Sequence, residues 1–240
     1  MSLIIACFVS VAALSAAHGK LQTAGLNANG KLRVLCLHGY SQNGAILRDR
    51  SGGFRKPLKK SRFELCYPDG PFGCTANGED KAEADADPMR RAWWRGHSGQ
   101  DEYVGWPQSR DALLELWECG RFDGVLGFSQ GAAAAAMICA EMRPSFGIFV
   151  SGFVPRDHEA AALLLAGSGM PTLHIIGQSD TLVVPERSHA LAALFDRAVV
   201  VEHQGGHMVP SGAEVRARVT HFLEQHAQTG ESDASQRVTS

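Results

Sequence analysis

Gly127-Phe128-Ser129-Gln130-Gly131 sets a serine between two glycines in the pattern G-x-S-x-G. A serine hydroxyl is a weak nucleophile, and it becomes useful when a turn presents it and a neighbouring base takes its proton. The context fits such a turn. The apolar run GVLGF precedes Ser129, and Ala132 to Ala136, Met137 and Ile138 follow it. A strand passing straight into a helix leaves no room for side chains flanking the serine, which accounts for both glycines. The alanine run favours helix and close approach to a sheet, and the helix that it starts would bring its positive end to the reacting centre. The chemistry implied is attack on an acyl carbonyl.

A nucleophilic serine needs a base, and the base needs a group to orient it. Asp180 follows the apolar run Thr172–Ile176, and His207 follows the run Ala198–Val201 on a Gly205-Gly206 loop. The chain order serine, acid, histidine and the placement at successive strand ends both favour Ser129, Asp180 and His207. His203 lies nearer the strand end and is the rival base. The i, i+4 spacing of His203 and His207 suits metal ligands only on a helix, and Gly205-Gly206 argues against one. His189, His221 and His226 fall on helical stretches, and His174 lies within a buried strand pattern. Two N–H donors should face the developing oxyanion. The backbone of Gln130, directly after the nucleophile, supplies one, and that of Tyr40, in the Leu37-His38-Gly39-Tyr40 loop, supplies the other. Ser41 falls in a near-repeat of the pattern whose second glycine comes one residue late, so it is not read as a nucleophile. Trp93 and Trp94 sit in a long irregular segment, Gly70–Gly105. In an extended segment, neighbouring side chains point to opposite sides, so the two indoles should not both face the core. One reading makes them a loop anchor and a surface aromatic; the other sets one of them as an apolar wall for the substrate's acyl chain.

These residues need a frame. Short apolar runs at Leu32–Leu37, Arg62–Cys66, Gly124–Phe128, Phe146–Val150, Thr172–Ile176 and Ala198–Val201 read as strands. Helices are predicted at Ser109–Glu118, Ala132–Arg143, Glu186–Phe195 and Ala213–Gln225. Near-continuous apolar strands alternating with helices indicate an α/β architecture, a doubly wound, mostly parallel sheet with helices on both faces. The 240-residue length favours one domain. With 45% apolar residues, 20% charged residues and a net charge of -2, the composition is globular and excludes nucleic acid as a main partner. Six cysteines in 240 residues are too sparse for a disulfide scaffold, and no two form a C-x-x-C pair, which argues against a zinc ribbon or a thioredoxin-like site.

Several stretches together resemble the FSH-type serine hydrolases: LRVLCLHGYSQNG (32–44), RAWW (91–94), FDGVLGFSQGAAAA (122–135), PTLHIIGQSDTLVVPERS (171–188) and EHQGGHMVP (202–210). The resemblance spans roughly Leu32 to Glu224 and implies an α/β-hydrolase fold with carboxylesterase or thioesterase activity. It puts nucleophile, acid and base on Ser129, Asp180 and His207. GFSQG followed by alanines is also similar to the acyl-protein thioesterases. The expected activity is therefore hydrolysis of a small-molecule acyl ester through an acyl-enzyme on Ser129, without a metal or organic cofactor. The alternatives are a thioesterase and a non-catalytic ligand receptor built on the same fold.

Outside the domain expected at 32–227, residues 1–31 form an N-terminal extension and 228–240 a polar tail that is expected to be disordered. Leu3–Ala17 is apolar but shorter than the ~20 residues of a membrane span. With the small residues Ser15-Ala16-Ala17 at its end, this stretch resembles a secretory signal, although Met1-Ser2 supplies no basic residue. The family resemblance implies cytosol or nucleus instead.

Overall fold

Alternation along the buried strands builds two cores on one sheet. Leu35, Leu37, Val125 and Phe149 face one side, whereas Val34, Cys36, Leu126, Phe128, Ile148 and Val150 face the other. The computed structural model describes residues 30–55, 62–74, 87–96, 103–156, 161, 164 and 169–227; the N-terminal extension up to residue 29, the acidic stretch 79–86 and the tail 228–240 lie outside them. The sheet comprises β1 (Leu32–Leu37), β2 (Phe63–Cys66), β5 (Gly124–Phe128), β6 (Phe146–Val150), β7 (Pro171–Gly177) and β8 (Arg197–His203). Their order is β2-β1-β5-β6-β7-β8, and every pairing is parallel. The first core takes in α2 (Trp106–Gly120), α3 (Gln130–Met142) and α4 (Pro185–Ala192); the second takes in α1 (Gly44–Arg50) and α5 (Ala213–Ala227). The doubly wound α/β sheet expected from the sequence is the observed one.

The strand order reverses between β1 and β5. In an open parallel sheet the loops leaving two such strands part to opposite faces and open a crevice at their C-terminal ends. The loop after β1 carries Tyr40, and the turn after β5 carries Ser129. Beyond β6, β7 and β8 run parallel to β5 and deliver Asp180 and His207 to the same edge.

The boundaries differ from the sequence reading mainly at helix starts. α2 begins at Trp106 with Pro107 in its first turn, and α4 begins at Pro185; proline is tolerated there because those N–H groups have no helical partner. α1 was not anticipated; it is capped by Asn43, whose Oδ1 accepts the Ile46 N–H at 2.8 Å. The supposedly irregular Gly70–Gly105 segment contains an antiparallel ribbon of β3 (Phe72–Cys74) and β4 (Asp87–Ala92). DPMRRA has no β-branched residue and includes a proline, so it does not read as a strand; a two-stranded ribbon tolerates both features.

Candidate active site

Gly127 and Gly131 are dictated by contact. A Cβ on Gly127 would lie 2.3 Å from the Gly131 carbonyl oxygen, and one on Gly131 would lie 2.2 Å from the Leu37 carbonyl oxygen and 2.4 Å from that of His38. α3 is thereby pressed onto the end of β1, helped by the fully buried Ala132–Ala136. Ser129 between the glycines is held at φ 54°, ψ -119°, outside the comfortable range of an L-residue. Its N–H donates to the Val150 carbonyl at 2.9 Å, tying the turn to β6.

The structure brings Ser129, Asp180 and His207 into one hydrogen-bonded line. His207 Nε2 is 2.9 Å from Ser129 Oγ, and His207 Nδ1 is 2.7 Å from Asp180 Oδ2. The other carboxylate oxygen, Oδ1, accepts the backbone N–H groups of Leu182 at 3.0 Å and Val183 at 2.9 Å. Burial pushes the Asp180 carboxyl up, but the hydrogen bond from His207, the Val183 N–H, the His207 charge and the Ser151 hydroxyl together outweigh it and hold the group below its ordinary value. An ionised Asp180 only accepts, so Nδ1 carries the proton and Nε2 presents a lone pair to the Ser129 hydroxyl. The arrangement can take a proton from Ser129 as it attacks. The His207 ring packs on Phe128 at 4.9 Å. Its loop is seated by close contact with the end of β7: a Cβ on Gly177 would meet the carbonyl oxygens of Gly205 and Gly206 at 2.6 Å.

His203 lies apart from this line. It ends β8, and its Nδ1 accepts the Gly205 N–H at 3.1 Å. Gly205-Gly206 lie in a loop, so His203 and His207 do not share a helical face. Among the described residues, no three His, Cys, Asp or Glu side chains cluster as a metal site would require.

The two candidate oxyanion donors belong to peptide units whose carbonyls are pinned. All described peptides are trans, so C=O and N–H point in opposite directions. The Ser129 carbonyl accepts Ala132 N–H at 2.9 Å and Ala133 N–H at 3.1 Å, which turns the Gln130 N–H out of the helix. The Gly39 carbonyl lies 2.8 Å from His38 Nδ1. His38 Nε2 accepts the Gly70 N–H at 2.8 Å, so Nδ1 is the protonated nitrogen and donates to Gly39. Burial brings the His38 pKa down to about 4, against a smaller upward pull from the Gly39 hydrogen bond. A neutral His38 thus sets the Gly39–Tyr40 peptide plane and the direction of the Tyr40 N–H. The sequence reading noted His38-Gly39 only for its backbone and missed the ring.

Trp93 and Trp94 are placed differently from expectation. The chain bends at these residues, so alternation does not apply, and both are buried, at 2% and 4% exposure. Neither indole offers an exposed face to an acyl chain. Trp94 stacks on Tyr103 at 4.5 Å and meets Trp106 edge-on at 5.6 Å. What the sequence reading missed lies around the line itself: Leu182 is 71% and Met208 48% exposed, two residues after Asp180 and one after His207. The available signal was an apolar run within two residues of each, Leu182-Val183-Val184 after Asp180 and Met208-Val209 after His207.

Fold and site together define an α/β serine hydrolase. The chain belongs to the FSH1 serine hydrolase family, whose model matches residues 28–219. Esterase CG5412 of Drosophila melanogaster is 34% identical over 236 residues, covering 92% of this chain and 83% of its own length. Esterase OVCA2 of Bos taurus is 34% identical over 221 residues, covering 82% of this chain and 97% of its own. Among solved structures, acyl-protein thioesterase 2 of Zea mays superposes with a TM-score of 0.56 at 19% identity, over 85% of this chain and 97% of its own; that likeness speaks to the fold.

Proposed function

We propose that this chain hydrolyses carboxylic esters through an acyl-enzyme on Ser129, with residues 32–227 forming the hydrolase unit. The observation that carries the reading is the unbroken hydrogen-bonded line from Asp180 through His207 to Ser129. Ser129 Oγ attacks the acyl carbonyl carbon while its proton passes to His207 Nε2. The carbonyl electron pair becomes an oxyanion facing the N–H groups of Gln130 and Tyr40. The C–O bond to the alcohol then breaks, and the alcohol leaves with the proton from His207. Water repeats the sequence: His207 takes its proton, the hydroxide oxygen adds to the acyl carbon, the acyl C–Oγ bond breaks, and His207 returns the proton to Ser129 as the acid leaves. Asp180 holds the imidazole in the required tautomer and stabilises its charged form. Members of the family described as esterases support the reaction type. The exposed Leu182 and Met208 beside the line favour an apolar group on the substrate.

The test combines a fluorophosphonate probe with a panel of p-nitrophenyl esters and matched thioesters. Wild-type protein should take the probe and turn over esters, and Ser129→Ala should do neither beyond the ~10³–10⁴-fold over water that binding and the oxyanion site alone retain. Probe labelling without turnover of any acyl donor would identify a receptor on a hydrolase fold instead. Preference for thioesters would move the leaving group, not the site.

A further inference from the structure

Gln130 has a second role in the geometry, through its side chain. Its Oε1 accepts the Trp93 N–H at 2.9 Å, and its Nε2 donates to the Trp94 carbonyl at 2.9 Å. The carboxamide, whose C=O and one N–H point to the same side, thus makes both bonds to the 93–94 segment. The Trp93 indole Nε1–H donates to the His38 carbonyl at 2.8 Å, and the two rings lie 5.0 Å apart. The Ser109 hydroxyl holds the Trp93 carbonyl from α2. All of these groups are buried, where a hydrogen bond left unmade is costly and geometry is correspondingly strict.

We propose that Trp93 is a positioning residue that couples the two halves of the oxyanion site. One arm, through its backbone and the Gln130 side chain, fixes the residue whose N–H follows the nucleophile. The other, through its indole and the His38 carbonyl, fixes the residue whose ring sets the Gly39–Tyr40 plane. Without the coupling, only the contact of Gly131 with the Leu37 and His38 carbonyls ties the two segments together, and the Gln130 side chain and the His38 ring lose their common anchor. This rests on the assignment of Ser129 as nucleophile.

Trp93→Phe keeps an aromatic ring in the core but removes, with part of the indole, the N–H that the His38 carbonyl accepts; Gln130→Met opens the other arm. Three quantities are read: kcat per active site titrated with the fluorophosphonate, KM, and the inhibition constant of an alkyl trifluoromethyl ketone. The ketone carbon accepts the Ser129 oxygen, the proton passes to His207, and the resulting alkoxide occupies the oxyanion site. In either variant kcat should fall by roughly 10- to 100-fold, less than or comparable to loss of a whole donor, and the ketone should weaken by the same factor. KM should stay within about twofold, because the lost interaction acts on the transition state. The factor should be the same for acetate and octanoate esters. A residue that merely holds the fold would lower the titratable fraction and leave kcat per site and ketone affinity unchanged; that result in either folded variant overturns the proposal. A loss that grows with acyl length overturns it too, by making the indole an acyl wall. Absence of both probe labelling and ketone binding in the wild type would instead remove the nucleophile assignment.

Discussion

Both oxygens of Asp180 are engaged, one by His207 and the other by two backbone N–H groups, so the carboxylate is fixed in position before any substrate arrives. The imidazole inherits that fixity. His207→Ala should therefore cost roughly 10⁴- to 10⁶-fold in kcat, nearly the full loss seen on removing the nucleophile, because the two act as a unit. His203→Ala should keep most of the activity, since its ring serves the Gly205 turn; steady-state kinetics on one ester separates the two, and the reverse order would move the base to His203. If the exposed Leu182 and Met208 receive the substrate's apolar group, as proposed, their effect is on substrate choice. A buried methylene is worth about 0.8 kcal/mol, so a serine in place of either should lower the octanoate-to-acetate ratio of kcat/KM by several-fold while sparing acetate. An unchanged ratio would put the acyl group elsewhere.

Among the elements, α3 is held by close backbone contact. Its first turn touches the end of β1 through Gly131, and the contact is to carbonyl oxygens, which cannot step aside as a side chain can. Gly131→Ala should destabilise the protein by about 1–3 kcal/mol or more and pull Gln130 off line. Urea unfolding and kcat should both report it, and a stable, fully active Gly131→Ala protein would mean the helix can retreat freely. The elements that could be read from the sequence were those with a one-to-one link between pattern and burial. β1, β5 and β6 match residue for residue, because strands covered on both faces must be apolar throughout. The turn carrying Ser129 was equally legible, since only glycine fits the two flanking positions, and a parallel sheet puts the loops that carry Asp180 and His207 on the same edge as Ser129. The β3–β4 ribbon escaped because its stability comes from pairing, not from its own residues. Trp93 and Trp94 escaped because alternation presumes an extended chain, and the bend that buries both depends on Gln130, which lies 37 and 36 residues away.

At the scale of the whole molecule, two neutral histidines are sealed beneath the site edge. Burial is the main cause in both: His38 is brought down to about 4, and His174, with His189 adding to the effect, to about 3. In the unfolded chain these rings bind protons near their ordinary value of 6.5, whereas in the folded protein they do so only near those lower values. Their contribution to stability is complete above about pH 6.5 and is lost progressively as the pH falls toward 4 and below, at about 1.4 kcal/mol per pH unit for each ring. Asp180, held low, adds a loss of the same sign at still more acid pH. The urea midpoint should drop on acidification from pH 6.5, and His174→Phe, which keeps a ring against Phe149 and Phe195, should remove part of that dependence, the rest staying with His38 and with His203 and His226, which burial also pulls down. A midpoint flat between pH 6.5 and 4.5 would mean that the two rings reach solvent. The all-parallel sheet has one more consequence, for the order of events during folding. Ser129 and His207 stand 78 residues apart in the chain, and His207 and Asp180 stand 27 apart, each on a loop that exists only after its strand has found its neighbour. Contacts this distant form late, while an alanine-rich segment such as α3 can coil on its own within microseconds. During refolding from urea, the helical circular dichroism signal should recover ahead of esterase activity, and the interval between them measures how long the chain waits, already largely helical, for its last strands to dock.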